Sequence, residues 1–193
     1  MTRISSNGRL IILLSGPIAV GKSTVTGILA EIHGFQTIRS GNYLASQALQ
    51  IGLSTERTSL QELGDSLDLR TDCAWIVNDV AVPLLQANPA HQLWLLDSVR
   101  KEKQVLHFKQ AFKEAAFHLH LTAAEETLLF RYNSRLVAGV THAGVTSYET
   151  AIQHPNEVAS RQLINRADAV ISVDNLSSED IVEQIIHAVN RRR

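Results

Sequence analysis

The sequence predicts an α/β fold: a five-stranded parallel sheet with helices on both faces. Three observations carry this. Five short apolar runs, Leu10–Leu14, Phe35–Ile38, Leu93–Leu96, Phe117–Leu121 and Ala169–Val173, have the length and continuity of strands buried on both sides. Helical patterns separate them, an alternation that implies parallel strands joined by right-handed crossovers. A turn holding Gly16 and Gly21 joins the first run to the first helical pattern.

Each element has its own local reason. Val25, Ile28, Leu29 and Ile32 fall on one helical face, and Gly34 is a stop signal. Residues 40–92 are long for one crossover and read as mostly helical. Lys101–Ala116 carries Val105, Phe108, Ala111, Phe112 and Ala115 at helical spacing. Pro155 suits the first turn of a further helix, where Glu157 is a partner for the helix dipole. The last helix begins with Ser178 as its cap and the acids Glu179 and Asp180 in its first turn. It then sets Ile181, Val182, Ile185, Ile186 and Val189 toward the core. Residues 137–147 lack a clear period and hold two glycines, and insertions of that type carry substrate contacts or lids. One domain spanning 1–193 is expected, with an insertion over about 40–92 and a lid over about 137–160.

Composition excludes several classes. Hydrophobic residues make up 45% of the 193, which argues against disorder. The net charge of −1 gives no bulk attraction for duplex nucleic acid, so no nucleic-acid partner is expected. Arg191, Arg192 and Arg193 read as a solvated tail. The single cysteine, Cys73, cannot form an internal disulfide and reads as buried packing in a reducing compartment. The apolar run after Arg3 and Arg9 is too short for a signal peptide, and no stretch reaches the length of a membrane span. A cytoplasmic location without a membrane partner is the expectation. The eight histidines show no zinc-ligand spacing.

Gly16-Pro17-Ile18-Ala19-Val20-Gly21-Lys22-Ser23 fits G-x-x-x-x-G-K-[ST], after a predicted strand and before a predicted helix. That context gives the pattern a mechanism. Gly16 and Gly21 let the backbone fold around an anion, and loop and helix N–H groups, with Ala19 among the loop residues at the nucleotide, face it. Lys22 spans the β- and γ-phosphates of a nucleoside triphosphate, Ser23 ligates Mg²⁺, and Thr24 adds a contact to the α-phosphate. The ligands expected are therefore ATP and Mg²⁺, and the fold class sharpens to a three-layer P-loop NTPase fold. A phosphate loop alone does not say where the phosphoryl group goes.

The rest of the chain supplies acceptor candidates. Asp97 ends the third apolar run, where ligands gather in open parallel sheets. It is placed to hold a Mg²⁺-bound water or to orient an acceptor, and Arg100 can reach the same cleft. Arg131 and Arg135 are four apart on one helical face and suit stabilisation of charge on a transferred phosphoryl group. Arg161 begins the return from the lid. Trp75 reads as core and His154 as an incidental loop histidine.

At this point the chain resembles phage-type deoxynucleoside monophosphate kinases. The run Arg57-Thr-Ser-Leu-Gln61-Glu-Leu-Gly64, followed by Arg70 and Trp75, is similar to their acceptor region. Asp97-Ser98-Val99-Arg100 looks like their Asp-x-Arg strand end and like Asp-Gly-Ile-Arg in kinases related to dephospho-coenzyme A kinase, and Ala167-Asp168-Ala169-Val170-Ile171 is similar to a strand near the end of many such kinases. The resemblance implies a nucleoside-monophosphate-kinase-like fold with a helical acceptor segment and a short lid. It implies that Arg57, Gln61 and Arg70 hold an acceptor nucleotide, with Ser40 and Gly41 at the hinge of the acceptor segment. Three readings stay open: a (deoxy)nucleoside monophosphate kinase; a kinase of another small acceptor such as dephospho-coenzyme A, a nucleoside or a modified base; and a non-catalytic nucleotide-binding regulator. The oligomeric state, monomer or homodimer, is likewise open.

Overall fold

The computed structural model describes residues 8–138 and 147–192. Five strands form one sheet: β1 (Leu10–Ser15), β2 (Gln36–Thr37), β3 (Leu93–Leu96), β4 (Ala116–Thr122) and β5 (Ala169–Ser172). The order is β2-β3-β1-β4-β5 and every pairing is parallel. β1 is central, paired with β3 through Leu13 and Leu96 and with β4 through Ser15 and His120. Every residue of β1 is buried, which is why its sequence is an unbroken apolar run rather than an alternating one.

The helices are α1 (Lys22–His33), α2 (Ser40–Gln50), α3 (Arg57–Thr71), α4 (Val82–Ala87), α5 (Glu102–Phe112), α6 (Glu125–Val137), α7 (Tyr148–Ala151), α8 (Pro155–Gln162) and α9 (Ser178–Arg191). A π-helical segment, Ile76–Ala81, runs directly into α4. Successive strand residues point to opposite faces, so the sheet divides two cores. Leu10, Ile12 and Leu14 pack with Val25 and Leu29 of α1, Leu128 of α6 and the apolar face of α9. Ile11 and Leu13 pack with Leu63 and Leu67 of α3, the Ile76–Ala81 segment and Phe108 of α5. The expected three layers are present, and residues 40–92 are mostly helical.

Three local expectations are corrected. The helix expected over Lys101–Ala116 ends at Phe112. Lys113 takes φ +49 and a short 3₁₀ turn follows, because Ala116 is taken up by the sheet opposite Ile11. The cap of the last helix is Ser177, not Ser178. The Ser177 hydroxyl accepts from the Asp180 N–H at 3.1 Å, and the Asp180 carboxylate accepts from the Ser177 N–H at 3.2 Å. The second strand shrinks to Gln36–Thr37, with Phe35 and Ile38 buried on either side of it. Gly34 closes α1 in the left-handed conformation, as a stop signal should.

Cys73 and Trp75 are buried. Among the described residues no helix is long and apolar enough to cross a membrane. Residues 139–146, with Gly139 and Gly144 of the expected lid, lie outside the described part.

Candidate phosphoryl-transfer site

The turn from β1 into α1 lies where the strand order reverses, with β3 and β2 on one side of β1 and β4 and β5 on the other. Open parallel sheets form a crevice at such a point. Gly16 has φ +146, and a Cβ there would lie 2.5 Å from the Leu121 carbonyl oxygen of β4. Only glycine lets the chain turn this close to the neighbouring strand. Ala19 (φ +66) and Gly21 (φ +106) also take left-handed backbone. No side chain caps α1, so its N-terminal amides remain turned to the loop, which suits an anion.

Lys22 Nζ donates to the carbonyls of Gly16 at 2.5 Å and Pro17 at 3.0 Å. Burial pushes its pKa down to about 8. Glu157 is the strongest influence in the other direction, Arg100 and Arg135 lower it further, and Asp97 raises it. Four charged groups, from the turn after β3, from α6 and from α8, therefore act on one ammonium. Ser23 and Thr24 are exposed beside it.

On one side of the loop, α6 and the β5–α9 connection enclose a cavity of about 310 Å³. Ala19, Gly21, Thr24, Arg131 and Arg135 line it, and Arg131 Nη1 donates to the Val20 carbonyl at 3.2 Å. Phe130, 73% exposed, stands in the wall of this cavity. Sequence reasoning missed Phe130 and Leu176. An aromatic directly before the Arg131/Arg135 pair was the available signal.

On the other side, α3 and the turn after β3 form a cleft of about 210 Å³. Ser40, Arg57, Gln61 and Arg100 line it, so four of the sequence candidates share one wall. Gly41 and Arg70 do not line it. Gln104, buried, accepts from the N–H groups of Arg100 at 3.0 Å and Lys101 at 3.2 Å and fixes the turn that presents Arg100. Lys101 is held by Asp68 at 2.7 Å and Asp65 at 3.2 Å. Asp68 also accepts from Trp75 Nε1 at 2.6 Å, which ties the edge of that buried ring. Arg57 and Arg100 form no ion pair among the described residues, which leaves two guanidinium groups for an anionic ligand. Asp65, Asp68, Lys101 and Asn156 were not foreseen here, because their convergence depends on how α3 and α8 pack.

Helix α8 bridges the two sides. His154 is its N-cap, accepting from the Asn156 N–H at 3.2 Å through Nδ1, and its Nε2 lies 3.4 Å from the Gln61 amide nitrogen. Ser160 donates to the Gly16 carbonyl at 3.1 Å. Glu157 does more than face a helix dipole. Its Oε1 accepts from the Ile18 N–H of the loop at 2.8 Å and from Arg161 Nε at 3.0 Å. Arg161 lines neither cavity. It also donates to Glu125 at 2.9 Å and to the Tyr148 hydroxyl at 2.9 Å. Burial works against its charge, but these acceptors outweigh burial and hold its pKa above the usual value.

Beneath the loop, Ser15 meets His118 Nε2 at 2.7 Å and His120 Nδ1 at 2.9 Å. His118 Nδ1 lies 3.2 Å from the Arg166 carbonyl, which only accepts, so Nδ1 carries the proton. His118 Nε2 then accepts from the Ser15 hydroxyl, and Ser15 accepts from His120 Nδ1–H. Burial pushes the pKa of His120 down to about 4, with help from His118 and Lys22. Burial also lowers that of His118. Both rings are neutral near pH 7, as this chain of bonds requires.

Among the described residues no cluster of three or more His, Cys, Asp or Glu side chains could hold a metal by itself. The exposed Ser23 at the start of α1 and Asp97, close enough to influence Lys22, fit a Mg²⁺ that keeps water and phosphate oxygens as its other ligands.

Comparison with known proteins agrees with this architecture. No curated protein matches the chain. Similar solved structures include a gluconokinase from Sinorhizobium meliloti, at 14% identity and TM-score 0.55, covering 98% of this chain and 94% of that one. They also include a shikimate kinase from Acinetobacter baumannii in complex with shikimate, at 17% identity and TM-score 0.52, covering 94% and 93%. An uncharacterized protein from Eubacterium ventriosum matches at 10% identity and TM-score 0.54, covering 95% and 99%. At such identities the likeness concerns the fold. Residues 12–142, well over half of the chain, match the family model described as an AAA domain, and with its phosphate loop at the head of α1 the protein belongs to that family, AAA_18, of P-loop proteins.

Proposed function

We propose that this protein is an ATP-dependent phosphotransferase acting on a small anionic acceptor, and that the acceptor is a nucleoside or deoxynucleoside monophosphate. One observation carries the reading: the glycine-bearing loop at the head of α1 opens on a cavity lined by Arg131 and Arg135, and a separate cleft gathers Ser40, Arg57, Gln61 and Arg100. Bound Mg²⁺·ATP supplies the transferable phosphoryl group and part of the neutralising charge. The chain's own residues do the rest. Amides of the loop and of α1 hold the polyphosphate, and Lys22 exchanges its loop carbonyls for phosphate oxygens. Arg131 and Arg135 balance the charge of the transferred group from the α6 side. Ser23 and Asp97 serve the cation, and Asp97 also orients the acceptor. Ser40, Arg57, Gln61 and Arg100 seat the acceptor, whose phosphate carries about two negative charges near neutral pH and needs guanidinium partners to approach the donor. Phe130 offers a face for the donor base in the α6 cavity. Arg161 acts from outside the cleft, through α8, and Gly41 and Arg70, which do not line it, have no assigned role in this reading.

A second reading rests on a specific feature. Trp75 lines the cleft but is only 4% exposed and already stacks on Tyr43, which leaves little of its face for a base. The half-exposed Asp65, which uses one oxygen on Lys101, is placed to meet a hydroxyl group instead. A small hydroxy acid, of the kind named for two of the similar structures, fits these groups too. Acceptor-dependent ADP release, measured across nucleoside monophosphates, nucleosides, dephospho-coenzyme A, gluconate and shikimate, separates the readings. Lys22→Ala is expected to lower turnover by at least about a hundredfold, the scale of losing a group that stabilises transition-state charge. Arg57→Ala is expected to raise the acceptor KM about tenfold or more while leaving the KM for ATP near wild type. An unchanged acceptor KM removes Arg57 from the site.

A further inference from the structure

The phosphate loop already holds an anion that belongs to the chain. Glu157 Oε1 accepts from the Ile18 N–H at 2.8 Å, inside the Gly16–Ser23 turn, and from Arg161 Nε at 3.0 Å. Its side chain is 13% exposed. It is also the strongest stabiliser of the Lys22 charge. A loop amide and an arginine are partners a phosphate group would choose, and here a carboxylate takes both, near enough to Lys22 to favour its charge. Without it the empty site would hold Lys22, Arg100 and Arg135 near one another with only Asp97 to offset them.

We infer that Glu157 is a built-in counter-anion of the nucleotide site, which polyphosphate must displace from the loop amide when it binds. The inference rests on the loop being the ATP site. Glu125 and Tyr148 keep a grip on Arg161 at 2.9 Å each, so displacement of Glu157 loosens the arginine without setting it adrift. The same helix touches the acceptor side, through the His154 contact to Gln61 and through Asn156 in the cleft wall. Loading the donor site and re-seating the acceptor wall thereby become one movement of α8. The carboxylate sets the affinity of the site: it holds the cationic pocket together in the absence of ligand and opposes the ligand electrostatically.

The test is a calorimetric titration of the full chain with Mg²⁺·ATP, comparing wild type with Glu157→Gln. Glutamine keeps an oxygen for the Ile18 N–H and removes only the charge. At pH 6.5 the variant, without a negative charge beside the loop, is expected to bind about tenfold tighter. Glu157→Ala, with its melting transition checked, serves if the glutamine variant does not fold. A folded variant that binds equally or more weakly at pH 6.5 would overturn the inference, because Glu157 would then be a strut of the loop. If wild type itself binds no ATP, the nucleotide-site reading fails first, and that outcome is distinct.

Discussion

A methyl group at Gly16 would press on the Leu121 carbonyl at 2.5 Å, and that single contact explains why the loop begins with glycine. Such a reason is local and shows in a one-dimensional pattern, so Gly16, Gly21, Lys22 and Ser23 were legible from sequence. The Ser15–His118–His120 chain was not. It depends on the register of β1 against β4, and nothing in a list of histidines reveals that Ser15 faces His120. The histidines carry a prediction at their own scale. A histidine whose folded pKa lies below its unfolded value near 6.5 leaves the unfolded chain binding more protons at intermediate pH. Stability is therefore full above about pH 6.5 and falls as pH drops toward the folded value of about 4. The loss attached to His120 is on the order of 3 kcal/mol. Urea melts between pH 7 and 4 should show a downward slope. His120→Asn, whose amide can donate in place of Nδ1–H, should flatten it, and an unchanged slope would remove His120 as the cause.

Among the elements, strands and helices differ in how openly the sequence declares them. β1 and β3 were readable to within one residue because central strands are continuous apolar runs. β2 was overcalled, since burial of Phe35 and Ile38 needs no strand pairing of their own. The cap of α9 slipped by one residue because Ser177 and Ser178 are adjacent, and only the reciprocal bonds to Asp180 tell them apart. Ser177→Ala should cost about 1 kcal/mol of unfolding free energy, whereas Ser178→Ala should change it by no more than about 0.5 kcal/mol. Equal effects in chemical denaturation would contradict the assigned cap. The role of α8 was the least legible feature. Pro155 marked where the helix starts, but Glu157, Ser160 and Arg161 meet the loop and α6 only through tertiary packing.

At the scale of the molecule, one sheet with a strand-order reversal carries a cavity beside the loop and α6 and a second cleft beside α3. The cavity beside α6 suits a donor nucleotide, and the cleft beside α3 suits an anionic acceptor. The fold class was legible because alternating strands and helices admit few topologies. The identity of the acceptor was not, because it is decided by side chains that converge from α3, the turn after β3 and α8. Ligand linkage joins this scale to the first: ATP that binds only the folded chain raises the melting temperature in a concentration-dependent way. The most direct measurement is a crystal structure with Mg²⁺ and a non-hydrolysable ATP analogue. The analogue's β-phosphate should lie within hydrogen-bond distance of the Gly16–Ser23 amides and Lys22 Nζ, with the terminal phosphate toward Arg57 and Arg100. A triphosphate bound away from that turn, or with its terminal group turned from the cleft, would contradict the account.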